Sequence, residues 1–291
     1  MLNIATRSAF LKFFVLIFML PAILSCNKKE VKIPSYIHID QVTLSTDPLL
    51  EGSNSSRITD AWVSLDGQLI GTFELPATVP VLADEGSHTI TVAPGILVNG
   101  ISSSRAEYPF FSAYATTLNL TKESYNTLIP GTTYLSSAHF VWKENFDNSS
   151  FSIEKTGRSD ATITIQKATG TLAFEGSGSA MVSMTSGQTI FECASVDEYG
   201  LPKDGSDIYL ELNFKSNVNI LVGLYTSASS GTYQEPVETL VPAPEWKKIY
   251  IYLTSVAGLH ADAGGHKVFF GVTGDGSVNP EFFFDNIKLI Y

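Results

Sequence analysis

The chain consists of short runs of β-favouring residues that turn residues interrupt every few positions. The clearest case lies between residues 58 and 75, where two alternating runs flank the dipeptide Asp66-Gly67. An Asp-Gly pair favours the type I′ turn, because both residues tolerate positive φ there. The pattern predicts a β-hairpin, and the following Pro76 and Pro80 are expected to interrupt its hydrogen-bond ladder.

Runs of the same kind continue to the C-terminus, and no long stretch of helical periodicity separates them. Further strands are predicted at residues 36–44, 88–92, 113–120, 207–214, 219–225, 246–253, 266–272 and 282–291. Only residues 255–265 are a candidate for a short helical turn. Short strands with regular turn signals are typical of β-sandwiches, so we expect an all-β protein.

A polar stretch that contains Pro130-Gly131 separates two groups of predicted strands. We interpret residues 123–137 as a linker between two β-sandwich domains, one over residues 36–122 and one over residues 138–291. The total of 291 residues is long enough for two domains of ordinary size.

The charge balance excludes some partners. The chain has 18 basic and 29 acidic residues, a net charge of −11. Nucleic-acid binding requires a basic face, and peripheral attachment to anionic lipid requires basic clusters. We therefore expect no nucleic-acid partner, and any attachment to a membrane must have another origin.

The N-terminal segment has the features of a secretory leader. Arg7 and Lys12 precede a short apolar run that contains Pro21. A membrane-spanning helix needs ~20 apolar residues, more than this run offers. A basic start, a short apolar centre and small residues before the cleavage point predict a cleaved signal peptide at residues 1–25.

The end of the leader, Ile23-Leu24-Ser25-Cys26, resembles the lipobox of bacterial lipoproteins. The resemblance implies that Cys26 becomes the acylated N-terminus, that residues 26–35 form a tether, and that the lipid bilayer is a partner. Several acyl chains together anchor a protein firmly. Asn27 stands where an aspartate would signal retention in the inner membrane, so we expect a lipid-anchored protein of the outer membrane, on its periplasmic or cell-surface face.

Two further resemblances concern the domains. The segments 62–67 and 86–92 together resemble small immunoglobulin-like domains of bacterial surface proteins, including PEGA-type domains. The second half opens with residues 144–147 (Glu-Asn-Phe-Asp), closes with residues 284–289 (Phe-Asp-Asn-Ile-Lys-Leu) and contains the run 245–250. These motifs resemble jelly-roll carbohydrate-binding modules, which implies that its first and last strands pair.

The second resemblance also implies a possible structural calcium ion. Carried over by position, Asp147 and Asp285 are the candidate ligands, with Glu144 as a third. Calcium prefers several oxygen ligands, which carboxylates at the ends of two strands could supply in part. The alternative is that Asp285 caps the last strand through hydrogen bonds. We expect no other cofactor.

Motifs of catalytic chemistry are absent from the sequence. It contains no His-Glu-x-x-His, no Gly-x-Ser-x-Gly and no phosphate-binding loop. Cys193 lies in a strand-like run and is interpreted as a buried, inert thiol. We therefore predict that the protein is not an enzyme.

Tyrosines in loops are the candidates for ligand contacts. Tyr225 and Tyr233 flank a Ser/Gly-rich loop, Gln234 and Glu235 follow it, and Tyr199 lies in an acidic loop. Aromatic rings stack on the C–H face of sugars, while amides and acids bind the hydroxyl groups. A sugar-binding face would present two or more coplanar aromatics on one concave surface. The alternative is that each tyrosine only anchors its loop.

Two functions follow from these observations. The first is a non-catalytic, lipid-anchored accessory or scaffold subunit of an outer-membrane complex for assembly, secretion or uptake, which works through protein contacts such as strand addition. The alternative is a glycan-binding lipoprotein that uses its C-terminal domain. The expected partners are accordingly an outer-membrane protein complex or a glycan.

Overall fold

The computed structural model describes residues 32–185, 187–274 and 279–291. Regular structure in these ranges is almost entirely β-strand; the helical elements there are one α-helical turn, Thr254–Ala257, and one 3-10 turn, Gly170–Leu172. The all-β prediction is thereby confirmed. None of the helices in these ranges has the length and apolar character needed to cross a membrane. The predicted signal peptide, Cys26 and most of the tether lie outside the described residues.

The N-terminal half is a sandwich of two sheets. Its strands are β1 (Ser35–Ile39), β2 (Thr43–Ser45), β3 (Asp60–Leu65), β4 (Gln68–Glu74), β5 (Ala77–Val81), β6 (Gly86–Leu97), β7 (Arg105–Glu107), β8 (Tyr114–Leu120), β9 (Tyr125–Leu128) and β10 (Gly131–Thr133). One sheet has the order β5-β1-β9, and the other has the order β4-β3-β6-β7 with β8 also paired to β6. Strands β2 and β10 form a separate ladder. Alternating apolar residues of both sheets, such as Ile37, Val79, Val63 and Ile90, meet in one buried cluster.

The hairpin predicted around Asp66-Gly67 is confirmed as β3 and β4. Both turn residues have positive φ, 49° for Asp66 and 80° for Gly67, as a type I′ turn requires. The Asp66 carboxylate also accepts a hydrogen bond of 2.8 Å from the backbone N–H of Thr89. The turn is therefore fixed by its own backbone preference and by a contact to the neighbouring strand β6.

The segment 123–137, interpreted from sequence as a linker, contains two strands of the N-terminal half. Strand β9 pairs in parallel with β1, and β10 pairs in parallel with β2. Both strands are short and have only one buried residue each, Leu128 in β9 and Thr132 in β10. Their polar composition reflects this single buried position, which explains why the sequence resembles a loop.

The C-terminal half is a larger sandwich. Its strands are β11 (Phe140–Glu144), β12 (Ile153–Lys155), β13 (Gln166–Ala168), β14 (Ser179–Ser183), β15 (Ile190–Ser195), β16 (Tyr209–Ser216), β17 (Ile220–Ala228), β18 (Gly231–Leu240), β19 (Ala243–Tyr252), β20 (Gly265–Thr273) and β21 (Glu281–Ile290). The first sheet has the order β13-β14-β21-β16-β19, with β11 also paired to β21, and the second has the order β12-β15-β20-β17-β18.

The chain crosses between these two sheets at most of its connections, which is the pattern of a jelly roll. The predicted pairing of first and last strands is confirmed, because β11 and β21 are antiparallel neighbours with Trp142 opposite Leu289. Side chains of both sheets, among them Phe270 and Phe284, fill the core between them. Each of these two rings is at most 1 % exposed, so the sandwich interior is closed.

A third buried cluster joins the two halves of the chain. It contains residues from both: Leu44, Ile96, Tyr108, Phe110, Phe111, Tyr134, Tyr209, Tyr250 and Ile290. Backbone contacts reinforce it, since the N–H of Asn99 donates to the carbonyl of Tyr250 at 2.8 Å. The two sandwiches therefore share an aromatic core and are not separated by a free linker.

One carboxylate is enclosed in this junction. Glu211 of β16 is fully buried, and Oε1 accepts hydrogen bonds of 2.8 Å from the hydroxyls of both Tyr108 and Tyr134. Burial favours its neutral form, but the ammonium groups of Lys248 and Lys288 outweigh that effect and hold the pKa of Glu211 below its usual value. The junction thus contains a buried anion between two buried cations.

Candidate functional site

The outward face of the sheet β12-β15-β20-β17-β18 carries an open groove of about 360 Å³. Strand alternation places Leu221 of β17, Gly271 of β20 and Glu192 of β15 on this face, because their immediate neighbours point into the core. The groove is lined by Arg158, Ile190, Phe191, Glu192, Asn219, Leu221, Gln234, Pro236, Thr239, Gly271, Val272 and Thr273.

The floor of the groove is low because β20 carries a glycine there. A Cβ atom placed on Gly271 would meet Oε2 of Glu192 and the Cβ of Leu221 only at 4.0 Å each, which is ordinary contact distance. Leu221, on the neighbouring strand, adds an apolar surface beside it. The floor is therefore apolar and has room above it for a ligand.

The wall of the groove is built around Glu192. Its side chain is nearly buried, and it accepts hydrogen bonds from the Tyr225 hydroxyl at 2.5 Å, from Nε2 of Gln234 at 2.6 Å and from the Thr156 hydroxyl at 2.8 Å. Arg158 lies above, with Nε 3.8 Å from Oε2 of Glu192 and Nη1 donating to Oε1 of Gln234. Two strands, β17 and β18, and the loop after β12 thus converge on one carboxylate of β15.

Tyr225 serves as a donor in this arrangement. Its burial, and then its hydrogen bond to Glu192, raise the pKa of Tyr225 to about 12, so the hydroxyl keeps its proton at neutral pH. The Tyr225 ring lies 5.1 Å from the ring of Phe269 and covers it. Tyr225 is half-buried along the sheet and does not itself line the groove; it reaches the groove wall only through its hydrogen bond to Glu192.

Tyr225 and Gln234 are therefore the two predicted ligand residues that the structure brings together. Glu235, next along β18, faces the other way: it accepts from the Thr226 hydroxyl at 2.6 Å and lies 2.7 Å from Nε2 of His260. The ring of Tyr233 stacks on His260 at 4.1 Å. Both residues lie outside the groove lining.

Tyr199 lies apart from the other tyrosines. Its ring stacks on Trp142 at 5.9 Å, its backbone pairs with His266, and burial raises the pKa of its hydroxyl. The three tyrosines do not form one coplanar platform. The aromatic stacking surface that the sequence suggested is therefore replaced, on this sheet, by a polar wall above an apolar floor.

Sequence reasoning missed the two charged residues of the wall. Glu192 interrupts the otherwise apolar run of β15, which is the one pattern that marks it: an acid in a buried strand requires a partner or a ligand. Arg158 lies in the loop after β12, and its place above Glu192 depends on how that loop folds back. No local pattern predicts it.

The residues predicted to hold calcium are each engaged by hydrogen-bond donors. Glu144 accepts from the backbone N–H of Phe146 at 2.7 Å and from both the N–H and the hydroxyl of Ser152. Asp147 accepts from Nδ2 of Asn145 at 3.0 Å. An ammonium group, Nζ of Lys167, donates to the backbone carbonyl of Asp147 at 2.7 Å.

Asp285 is buried in the last strand. It accepts from the Ser179 hydroxyl at 2.6 Å and from the N–H of Asn286 at 2.7 Å, so it is held by hydrogen bonds, but it lies in the middle of β21 and does not cap the strand's end. Burial raises the pKa of Asp285 to about 7. Among the described residues, no group of three or more His, Cys, Asp and Glu side chains is arranged to hold a metal ion. The structure does not confirm a calcium site at these residues, and calcium stays a prediction.

Cys193 lies in the core of the C-terminal sandwich, as predicted. It is fully buried in β15 between the two sheets, and burial raises the pKa of its thiol. A thiol in this position stays protonated and is closed to reagents.

Comparison with known proteins finds similarity only among solved structures. No family model matches the chain, and no curated protein matches it. The CBM22-1 xylan-binding domain of Paenibacillus barcinonensis Xyn10C aligns with 53 % of this chain and 96 % of its own length, at 8 % identity and a TM-score of 0.40. The family 11 module of Clostridium thermocellum Lic26A-Cel5E aligns with 52 % and 93 %, at 15 % identity and a TM-score of 0.38.

A third structure covers more of the chain. It is described as a carbohydrate-binding module of the β-sandwich superfamily with promiscuous specificity, and it aligns with 80 % of this chain and 85 % of its own, at 12 % identity and a TM-score of 0.41. All three are carbohydrate-binding modules. Similarity at this level assigns no ligand to the present chain, and the accessory-subunit hypothesis stays a prediction from sequence.

Proposed function

We propose that the protein binds carbohydrate in the groove above Gly271 and Leu221. The observation that carries this proposal is the wall around Glu192, where a carboxylate, an amide, a guanidinium and a hydroxyl converge beside an apolar floor. Small-molecule sites are typically concave, with a few placed polar groups on a largely apolar surface. A sugar offers the matching chemistry, because its hydroxyls donate and accept while its C–H face is apolar.

The charges of the groove favour a neutral sugar. Arg158 and Glu192 lie 3.8 Å apart and balance each other, so the wall has polarity without net charge. An anionic sugar would meet the carboxylate, and a cationic one would meet the guanidinium. A neutral hydroxyl pair could instead bridge Glu192 and Gln234, accepting from the amide and donating to the acid.

The groove is suited to holding a glycan and not to cleaving it. Glycoside hydrolysis requires two carboxyl groups about 5–9.5 Å apart across the bond. Glu192 is the single acid among the residues that line the groove in the described part of the chain. Its hydrogen bonds to Tyr225, Gln234 and Thr156 also fix it as an acceptor. We infer a binding protein.

A glycan array of neutral oligosaccharides, followed by calorimetry on the detergent-solubilised chain, tests this proposal. Glu192→Gln should weaken binding of the best ligand at least tenfold, since a charge-assisted hydrogen bond is removed. Glu107→Gln, an exposed acid on β7 of the other sandwich, is the matched control and should leave binding unchanged. Absence of any neutral ligand, or equal affinity of both variants, would contradict the proposal.

We also propose that the chain is anchored in the outer membrane through acylated Cys26, which would present the groove at a bilayer surface. The lipobox-like sequence before Cys26 supports this inference. Metabolic labelling with a fatty acid should mark the native chain and not a Cys26→Ala variant, and the variant should move to the soluble fraction. A variant that still fractionates with membranes alone would exclude the anchor.

A further inference from the structure

The outer face of the sheet β5-β1-β9 in the N-terminal half carries a pair of stacked tyrosines. Strand alternation points Ile37 and Ile39 of β1 into the core, so Tyr36 and His38 point outward. The ring of Tyr36 stacks on that of Tyr125 in the neighbouring strand β9, with centroids 4.8 Å apart and planes inclined by 18°. Tyr125 is 69 % exposed, so the pair lies on the surface of the molecule.

The residues around the two tyrosines are also free of formal charge. The register places Pro80 opposite Tyr36, and it places Thr78 and Thr127 on either side of His38. Nδ1 of His38 lies 3.1 Å from the Thr78 hydroxyl, so these two polar groups are partners of each other. The outward residues of the three strands contain no aspartate, glutamate, lysine or arginine. We call them the tyrosine face: Tyr36, His38, Thr78, Pro80, Tyr125 and Thr127.

Exposed apolar side chains adjoin the tyrosine face. Leu82 directly follows β5 and is 61 % exposed, and Ile129 directly follows β9 and is 78 % exposed. Ile33, two residues before β1, is exposed as well. Apolar groups that gather at one surface mark a contact with another molecule or with a membrane.

The proposed anchor brings a bilayer within reach of this surface. Ser35, the first residue of β1, is nine positions after Cys26. An extended chain spans at most ~3.3–3.6 Å per residue, so the tether reaches about 30 Å. β1 is also the central strand of its sheet. The chain that leaves the anchor therefore enters the middle of the tyrosine face.

The composition of the tyrosine face suits the interfacial region of a bilayer. Tyrosine is enriched in that region because its ring is apolar, while its hydroxyl reaches water and headgroups. The chain as a whole has a net charge of −11, so anionic lipid repels it. A contact surface without acidic side chains, placed on lipid without net charge, avoids that repulsion.

We propose that the tyrosine face rests on the surface of a zwitterionic bilayer. The proposal depends on the acylation of Cys26, because the acyl chains hold the protein at the membrane and the face only sets its orientation. The sheet β5-β1-β9 would turn toward the lipid, and the other sheet of the same sandwich, β4-β3-β6-β7, would turn toward water. The contact would thus replace free rotation about the tether with one orientation.

Nitroxide labels on the acylated chain test this contact. Thr127→Cys carries a label on the tyrosine face, and Thr117→Cys carries one at an exposed position of β8 in the other sheet. Cys193 is fully buried and Cys26 is acylated, so only the introduced thiol reacts. On phosphatidylcholine/phosphatidylethanolamine vesicles, collisions with a water-soluble nickel chelate should be at least fivefold rarer at position 127 than at position 117. In the soluble Cys26→Ala chain the two positions should be equally accessible.

A pair of double variants identifies the groups responsible. Tyr36→Ser/Tyr125→Ser leaves the core and the anchor in place, so the chain should still sediment with vesicles while the label at position 127 becomes at least threefold more accessible. Leu69→Ser/Ile70→Ser, which removes exposed apolar groups from β4 in the other sheet, should leave that label protected. Unchanged protection in the tyrosine variant would overturn the proposal. If that variant fails to fold by circular dichroism, Tyr125→Ser alone replaces it, because this side chain is mostly exposed.

The failure of the anchor and the failure of the contact give different results. An acylated chain that does not sediment with vesicles refutes the anchor and this contact together. A chain that sediments while positions 127 and 117 are equally accessible refutes the contact alone. Protection of position 127 in the soluble Cys26→Ala chain would show that a second copy of the chain covers the face, and this result would also overturn the proposal.

Discussion

The hydroxyl of Tyr134 lies 2.8 Å from Oε1 of Glu211, so a residue just after β10 is hydrogen-bonded to the middle of β16 in the other sandwich. Tyr108 makes the same contact at the same distance. Two tyrosines of the N-terminal half thus share one carboxylate of the C-terminal half. The polar centre of the junction is specific, since it requires both partners in register, whereas the surrounding aromatic cluster supplies apolar burial.

Removing the Glu211 carboxylate should destabilise the whole chain. Glu211→Leu leaves the buried ammonium groups of Lys248 and Lys288 without their anion, and breaking a buried ion pair in this way costs about 3–5 kcal/mol. Urea unfolding followed by tryptophan fluorescence measures the change. Glu107→Gln should lie within about 0.5 kcal/mol of the parent, as expected for an exposed site. A similar value for Glu211→Leu would mean that the junction does not depend on this charge.

Asp285 should make stability depend on pH in the acidic range. Burial raises its pKa from 3.8 in the unfolded chain to about 7 in the folded chain. Between these values the folded state binds the extra proton, so this group's contribution to stability is greatest at low pH and is lost as the pH rises from about 4 to 7. Asp285→Asn removes that contribution.

Comparison of the parent chain with the Asp285→Asn variant separates the contribution of Asp285 from those of the other titrating groups. The free energy of unfolding is measured by urea at intervals from pH 4 to pH 8 in both. The parent chain should lose stability relative to Asp285→Asn over that interval, and the difference should level off above pH 7. A difference that stays constant, or a parent chain that gains stability relative to the variant as the pH rises, would show that Asp285 is ionised in the folded state throughout.

Two glycines on neighbouring strands offer a matched pair. A Cβ on Gly223 of β17 would lie 2.3 Å from the carbonyl oxygen of Glu235 and 2.5 Å from the Phe269 ring, whereas a Cβ on Gly271 of β20 finds nothing closer than 4.0 Å. Gly223→Ala should therefore destabilise by about 1–3 kcal/mol through overpacking. Gly271→Ala should change stability by less than about 0.5 kcal/mol. Equal effects in thermal unfolding would contradict this description of the sheet.

The strands that were predictable from the sequence are those with a regular alternation of apolar and polar residues or with clear turn residues at their ends. In the hairpin β3–β4 the turn residues and the alternation point to the same structure, and in the C-terminal half the motifs at both ends correctly placed first and last strands side by side. Strands β9 and β10 were not recognised, since a strand with a single buried residue has no alternation to detect. The buried acid Glu211 likewise depends on partners more than 70 residues away.

The candidate site was also predictable only in part, because some of its contacts join residues that are far apart in the sequence. Tyr225 and Gln234 lie opposite each other across β17 and β18, so local sequence placed them together. Their common partner Glu192 comes from β15, and Arg158 comes from the loop after β12, which no local pattern connects to them. Tyr233 and Glu235 share the same hairpin, but their side chains engage His260 on another loop.

Filling the groove floor is the most direct test of where a sugar binds. Gly271→Leu projects an isobutyl group into the space above β20, and the strand can accept it, because the nearest atoms to a Cβ there lie at 4.0 Å. Affinity for the neutral oligosaccharide should fall at least tenfold by calorimetry, while the unfolding midpoint stays near that of the parent. Thr117→Leu places the same group on an exposed position of β8 and should bind normally. If both variants bind alike, the ligand lies elsewhere, and the polar wall around Glu192 only fastens β15 to β17 and β18.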